Sequence, residues 1–422
     1  MQSPGLHLTA EQIDEHGLTP FPTGDRMGAQ VYRETYWQLR RPTGKWGFAV
    51  HDLREKSIDI IRRYQSANGA YVACPNFEQY RYCWLRDGSF IAYAMDRSGV
   101  HQSARSFYKW VHGVIHSQAG RIERAIGIIK TGRIPDCREM LPTRYTLDGA
   151  VSHDEWTNFQ LDGYGTWLWG LSEHARMTGS DGIITEMKAS IDLTIDYLVH
   201  FWQMPNYDCW EEFGDQVHPA TLACIWGGLT SINRYLERAD VSRTADTICD
   251  FIFNKCTVPC GPSSSRFAKS IGNSSVDASL MWIAVPFGVA GPHHPIVQNT
   301  VAEVERKLHH GGVHRYPEDT YYGGGEWPLL ACWLGWHYCR AGEPRRAEAI
   351  LKWVESCANE AGEIPEQISV HANDPSYYPV WYKRWGPVAT PLLWSSAMYL
   401  VLHAEICEAK SCTMEVELAK RS

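Results

Sequence analysis

The sequence has no apolar run long enough to cross a bilayer, which speaks against a helical membrane protein. It has no block of basic residues. Lysines and arginines are scattered and the formal net charge is -8, so neither a nucleic acid nor an anionic membrane is an expected partner. The 13 cysteines form no paired Cys-x-x-Cys set. His293-His294 and His309-His310 are adjacent pairs, not the i,i+4 pairs that converge on one ion, so no metal and no other cofactor is expected. No Gly-x-Ser-x-Gly elbow occurs. Gly323-Gly324-Gly325 is followed by no Lys-Ser/Thr in Walker spacing, which excludes a nucleotide loop of that kind. Met1 to Gly5 carry no basic start and no apolar stretch. Read with the odd cysteine count, this predicts buried thiols and a cytoplasmic location.

No Pro/Ser/Gly run, charge block or low-complexity tract divides the 422 residues. Alternating strand patterns are scarce and the helical period dominates. Ile184, Met187, Ile191, Ile195 and Leu198 recur at steps of three and four. Ala347, Ile350, Leu351 and Val354 repeat the pattern, with Pro344 at a first-turn position. Gly99, Gly179 and Gly342 each suit a left-handed helix end, with a new helix starting just beyond. The pattern predicts an all-α fold with helices near 46–65, 88–98, 101–129, 159–178, 181–203, 217–238, 240–254, 275–285, 293–308, 325–341, 344–359 and 390–407. It also predicts an irregular arm over 1–45, one helical domain over 46–408 and a tail over 409–422. Six helix pairs can close into a ring, although a helical solenoid would read alike.

The charged and aromatic residues gather between these helices. Trp210-Glu211-Glu212 places two adjacent carboxyls beside a large ring. Such neighbours are expected to raise each other's pKa, and an aromatic wall raises it further, so one can stay protonated and donate a proton. Pro365-Glu366-Gln367 offers a second carboxyl in a similar frame, with Glu363 as its rival. Tyr80, Trp84, Arg86 and Asp87 lie together just before a helix; the pair Arg86 and Asp87 suits two sugar hydroxyls, with the rings as walls. Trp156-Thr157-Asn158-Phe159-Gln160-Leu161-Asp162-Gly163, alone, says little. Arg315-Tyr316-Pro317-Glu318-Asp319-Thr320-Tyr321-Tyr322 precedes the three glycines and Trp327, and Trp394-Ser395 follows later.

Taken in order, these loops resemble the glucoamylase-type catalytic domain of glycoside hydrolase family 15, over about residues 45 to 405. The resemblance implies an (α/α)6 barrel and release of glucose from a non-reducing end with inversion. It implies Glu211 as general acid and Glu366 as the base that activates water. It implies Arg86 and Asp87 as holders of the terminal glucose, with Trp84, Trp156, Glu212, Arg315 and Trp327 around the substrate. Phe213-Gly214-Asp215-Gln216-Val217-His218 departs from the starch-degrading pattern. With no starch-binding module or room for an N-terminal β-sandwich, a short soluble α-gluco-oligosaccharide is the expected partner, leaning to α-1,6 links. A trehalase-type enzyme, a non-catalytic carbohydrate sensor and a scaffolding solenoid are the competing readings. An inverting pair requires carboxyls roughly 6.5–9.5 Å apart, against about 5–5.5 Å for a retaining one.

Overall fold

The computed structural model describes residues 50–152 and 154–421. The helices are α1 (Val50–Tyr64), α2 (Leu85–Arg97), α3 (His101–Ser117), α4 (Ala119–Lys130), α5 (Asp162–Thr178), α6 (Gly182–Glu186), α7 (Lys188–Phe201), α8 (Pro219–Leu236), α9 (Ala239–Lys255), α10 (Pro295–Leu308), α11 (Pro328–Arg340), α12 (Pro344–Cys357), α13 (Tyr378–Trp385) and α14 (Leu393–Arg421). Two small antiparallel pairs accompany them: β1 (Cys83–Trp84) with β2 (Arg144–Tyr145), and β3 (Thr257–Gly261) with β4 (Ser264–Phe267).

The helices form an (α/α)6 barrel. Around the inside, α2 packs on α5, α5 on α8, α8 on a 3-10 helix at Ala278–Ile283, that helix on α11, α11 on α14, and α14 back on α2. The outer layer is α1, α3, α7, α9, α10 and α12, each packed on an inner neighbour. Sequence pattern decides the layer. In α11 every residue from Pro328 to Cys339 is buried, and its apolar and aromatic residues run all round. In α9 only Val241, Ala245, Ile248 and Ile252 are buried, one narrow stripe facing inward.

The left-handed helix ends fall where glycine allows them, with φ of 79° at Gly99, 62° at Gly179 and 80° at Gly342. Prolines at the first turns of α8, α10 and α11 set those starts. Four expectations need correction. The segment 101–129 is two helices joined at Gln118, and 181–203 is a short turn followed by α7. The helix expected at 275–285 is a 3-10 turn of six residues; Asp277 caps it, and Pro286, which offers no backbone N–H, follows close behind. Helix α14 continues through the range read as a tail. The expected arm over 1–45 lies outside the described residues.

Inner helices α5 and α8 touch backbone to backbone. A Cβ on Gly165 would lie 2.3 Å from the Cys224 carbonyl oxygen, and one on Gly228 would lie 2.2 Å from the Gly165 carbonyl oxygen. Mid-helix Gly→Ala ordinarily stabilises, because alanine loses less backbone entropy. Here the sign should reverse: Gly228→Ala should cost about 1–3 kcal/mol through overpacking. Urea midpoints measure it, and an unchanged or raised midpoint would contradict the close approach.

Candidate active site

The inner helices begin at one end of the barrel, and the site lies there. Asp87 sits in the first turn of α2, Trp327 caps α11, and Trp394 opens α14. These residues share one pocket with Trp84, Glu211 and Glu366. The pocket holds about 500 Å³ of empty space including its mouth. Helix N-termini carry partial positive charge, which suits the carboxyls collected around it.

Glu211 is held by a turn built on Asp208. The Asp208 carboxylate accepts the N–H groups of Trp210 and Glu212, each at 2.9 Å, and its carbonyl accepts the N–H of Glu211 at 2.9 Å. Behind the turn, Lys269 is paired with Asp277 and stands 3.5 Å from Asp208; the Trp210 indole donates to Asp277 at 3.0 Å. This buried network fixes Glu211 at φ 67°, a left-handed conformation that costs a non-glycine residue about 1–3 kcal/mol. Its two oxygens receive the indole N–H groups of Trp84 and Trp156, the latter at 2.5 Å. Burial pushes the Glu211 carboxyl up to about 7, against the pull of Arg86, Arg144 and the two indoles.

Glu366 reaches the pocket from the loop between α12 and α13. Its N–H donates to the Ala389 carbonyl at 2.9 Å, and Ser395 donates to the carbonyl of Pro365 at 2.9 Å. Burial pushes its carboxyl up to about 8, while the hydroxyls of Tyr80 and Tyr321 and the Arg315 guanidinium pull it down. Those two hydroxyls are 3.0 Å apart. Arg315 is itself clamped in two-pronged fashion by Asp319, at 2.8 and 2.5 Å.

Arg86 donates to Gln160 at 2.9 Å and to Asp162 at 3.0 Å, and it faces Asp87 at 3.2 Å and Glu211 at 3.9 Å. Burial pushes Asp87 up to about 6. Three polar atoms in the pocket wall have no hydrogen-bond partner within the protein, Trp327 Nε1, Trp394 Nε1 and Glu366 Oε2, while Arg86 Nε and Asp87 Oδ1 meet each other at 3.2 Å. Buried polar groups are ordinarily paired. Bare donors and acceptors of both kinds, set among flat rings, fit a ligand with apolar faces and a rim of hydroxyls.

The structure thus brings Tyr80, Trp84, Arg86, Asp87, Glu211, Arg315, Trp327 and Glu366 to one pocket. Glu212 is not in its wall. Its carboxyl turns away to Arg315 at 3.5 Å and to the Tyr316 hydroxyl. Nor is it among the main causes of the raised Glu211 value, the first of which is burial; adjacent residues in a turn need not face each other. Trp156 stands outside the wall too, on a neighbouring cavity, reaching the pocket through its bond to Glu211 and edge-on packing against Trp84. Glu363 lies elsewhere, hydrogen-bonded to Asn359. Tyr321 and Trp394 line the pocket although neither was assigned a role, both lying within quoted motifs, and Trp210, read as the ring beside Glu211, lines it too. Arg144 carried no signal. The β1–β2 pairing delivers it, and it stacks 3.7 Å from the centre of the Trp156 ring. Among the described residues no group of three or more His, Cys, Asp or Glu is placed to hold a metal.

A helical ring with an aromatic, carboxyl-bearing pocket at the start of its inner helices belongs to the class of carbohydrate-active barrels. The model of glycosyl hydrolases family 15 matches residues 53–345, and the chain belongs to that family. It is a glycoside hydrolase. An isomaltose glucohydrolase of Kribbella flavida is 40% identical over 85% of this chain and 93% of its own. A glycosidase solved in complex with glucose is 39% identical, covers 85% of this chain and 99% of its own, and superposes with a TM-score of 0.81. Trehalase 1 of Sulfolobus acidocaldarius is more distant, 23% identical over 69% of this chain and 52% of its own.

A carboxyl raised by burial weakens the fold as pH rises. Below the unfolded value, near 4.5, both states of Glu366 are protonated and nothing is lost. Between there and about 8 only the unfolded chain ionises, so stability falls throughout that window. Glu366→Gln should therefore raise the melting temperature at pH 7.5 and leave it unchanged at pH 4. Differential scanning calorimetry at the two values checks this; equal shifts at both would contradict the buried, raised carboxyl.

Proposed function

We propose that the protein is an inverting exo-α-glucosidase that releases β-glucose from the non-reducing end of short α-gluco-oligosaccharides, with isomaltose-type α-1,6 links preferred. The observation that carries the reading is the pocket itself: two buried carboxyls, one held by indoles and the other by hydroxyls, between bare polar atoms of both kinds. The 40% identity to an isomaltose glucohydrolase supports the linkage.

Glu211 gives its proton to the glycosidic oxygen as the bond to the anomeric carbon breaks. Water attacks that carbon from the opposite face and passes a proton to Glu366. Arg86 and Asp87 hold hydroxyls of the terminal glucose whose anomeric carbon is attacked, and Arg315 keeps positive charge near Glu366. Atoms and charge balance: one water is consumed, one proton moves from Glu211 and one arrives at Glu366. Burial pushes both carboxyls up, Glu366 to about 8 and Glu211 to about 7. The reaction needs the reverse distribution. A substrate hydroxyl or water donating to the bare Oε2 of Glu366 favours its ionised form. The two groups titrate as a pair, so the activity profile reports the pair.

Trehalase-type action on an α,α-1,1 link is the alternative, and trehalases are among the more distant relatives. A reducing, cytoplasmic setting suits the twelve described cysteines, all of them free. No described helix is long and apolar enough to cross a membrane, and a small oligosaccharide is the partner proposed.

A panel of isomaltose, maltose, nigerose, kojibiose and trehalose should rank isomaltose first in kcat/KM; trehalose first would overturn the linkage. The kcat/KM profile should be a bell centred near neutral pH, about 7–8. A maximum below pH 5 would mean unperturbed carboxyls and would contradict the assignment. Glu211→Gln and Glu366→Gln should each lower kcat by roughly a hundredfold or more.

A further inference from the structure

Behind the pocket wall lies a carboxyl that this reaction does not use. Glu326 is fully buried. Its Oε1 accepts the N–H of Gly312 at 2.9 Å and faces Nδ1 of His371 at 3.4 Å, while Oε2 has no hydrogen-bond partner in the protein. His309 and His314 stand near enough to feel its charge, as does the Cys357 thiol. The Glu326 backbone pairs in both directions with Ile368, two residues beyond Glu366, each bond 2.9 Å.

The pairing continues on both sides. Gly325 donates to the Gln367 side chain at 2.8 Å, Asn373 to the Gly324 carbonyl at 3.1 Å, and Asp374 to the Gly323 carbonyl at 3.0 Å. The three glycines make this approach possible. A Cβ on Gly325 would stand 2.3 Å from the Ile368 carbonyl oxygen, and one on Gly324 would stand 2.0 Å from that of Asp319. The glycine run that cradles no phosphate thus lets one pocket loop lie flat on another. Gly312 is as confined, since its Cβ would meet the Trp353 ring at 2.1 Å.

Glu366 has tyrosine hydroxyls near its carboxyl, but its Oε2 is held by no protein group, so its direction also rests on the segment that carries it. We propose that Glu326 is a positioning residue, tying the Gly312 turn and the His371 loop to the segment that carries Glu366 and so fixing where that carboxyl points. The inference rests on the reading of Glu366 as the base. His371 completes the tie from outside. It is half-exposed and held at φ 57°, in the left-handed region.

The test compares Glu326→Gln, which keeps an acceptor for both partners, with Glu326→Leu, which keeps volume and loses both contacts. The Leu variant should lose roughly 10–100-fold in kcat with KM within about twofold, because a carboxyl displaced by about 1 Å loses rate and not binding. The Gln variant should restore kcat to within about threefold of wild type. His371→Gly relieves the backbone and removes only the outer contact; it should lower kcat roughly threefold with KM unchanged, and it decides the matter if the Leu variant does not fold. A folded Leu variant with wild-type kcat, or a His371→Gly variant with wild-type kcat where the Leu variant is unfolded, would overturn the proposal. Glu366→Gln is assayed beside them. If it turns over normally, the base reading fails; if it is inactive while Glu326→Leu is not impaired, only the positioning role fails.

Discussion

The structure depends on keeping two carboxyls out of water. Glu211 and Glu366 are each almost wholly buried, and burial is the largest influence on the proton affinity of both. Taking a charged group out of water is costly, so the surroundings must supply compensation. Here it comes from indole N–H groups, tyrosine hydroxyls, and the guanidinium groups of Arg86, Arg144 and Arg315. Each guanidinium is tethered by a carboxylate of its own: Asp162, Asp154 and Asp319 in turn. The charges balance locally, and the pocket keeps a few bare polar atoms for a ligand.

The barrel explains how such a site is built. Inner helices are buried on all sides, so their backbones are rigid and their starts are fixed. Loops between an outer helix and the next inner one end at the same mouth, and each delivers a side chain with a rigid helix behind it. The cost appears as backbone strain in those loops. Glu211, Phe213, Tyr322 and His371 all have positive φ, and all lie in or beside segments that shape the pocket. Side-chain carboxylates at Asp208 and Asp319 and the seam along Gly323–Glu326 hold these conformations in place.

Much of this was legible in sequence, for identifiable reasons. The 3.6-residue period marks outer helices such as α12, where one stripe is apolar. It marks α11 less well, since a helix buried on all sides has no polar face to contrast. The 3-10 turn at 278–283 has a helical composition, and only the nearby Pro286 hints that it stops short. Trp-Glu-Glu pointed to a buried carboxyl, yet adjacency misled over Glu212. Consecutive residues in a strained turn diverge, and Glu212 pairs with Arg315, 103 positions further along the chain. Arg144 was invisible because only a two-residue strand pairing brings it to Trp156. Glu326 stands between the three glycines and Trp327, and its side chain meets Gly312 and His371 across loops whose closeness residue order does not show.

The stereochemistry of the product probes the account most directly. If Glu366 directs water to the face opposite the bond that Glu211 protonates, the configuration at the anomeric carbon must invert. Proton NMR of isomaltose hydrolysis, recorded before mutarotation equilibrates the sugar, should show β-glucose in excess of the anomer mixture that the former reducing end carries. An excess of α-glucose would mean a covalent intermediate or attack from the same face, and would contradict the roles assigned to the two carboxyls.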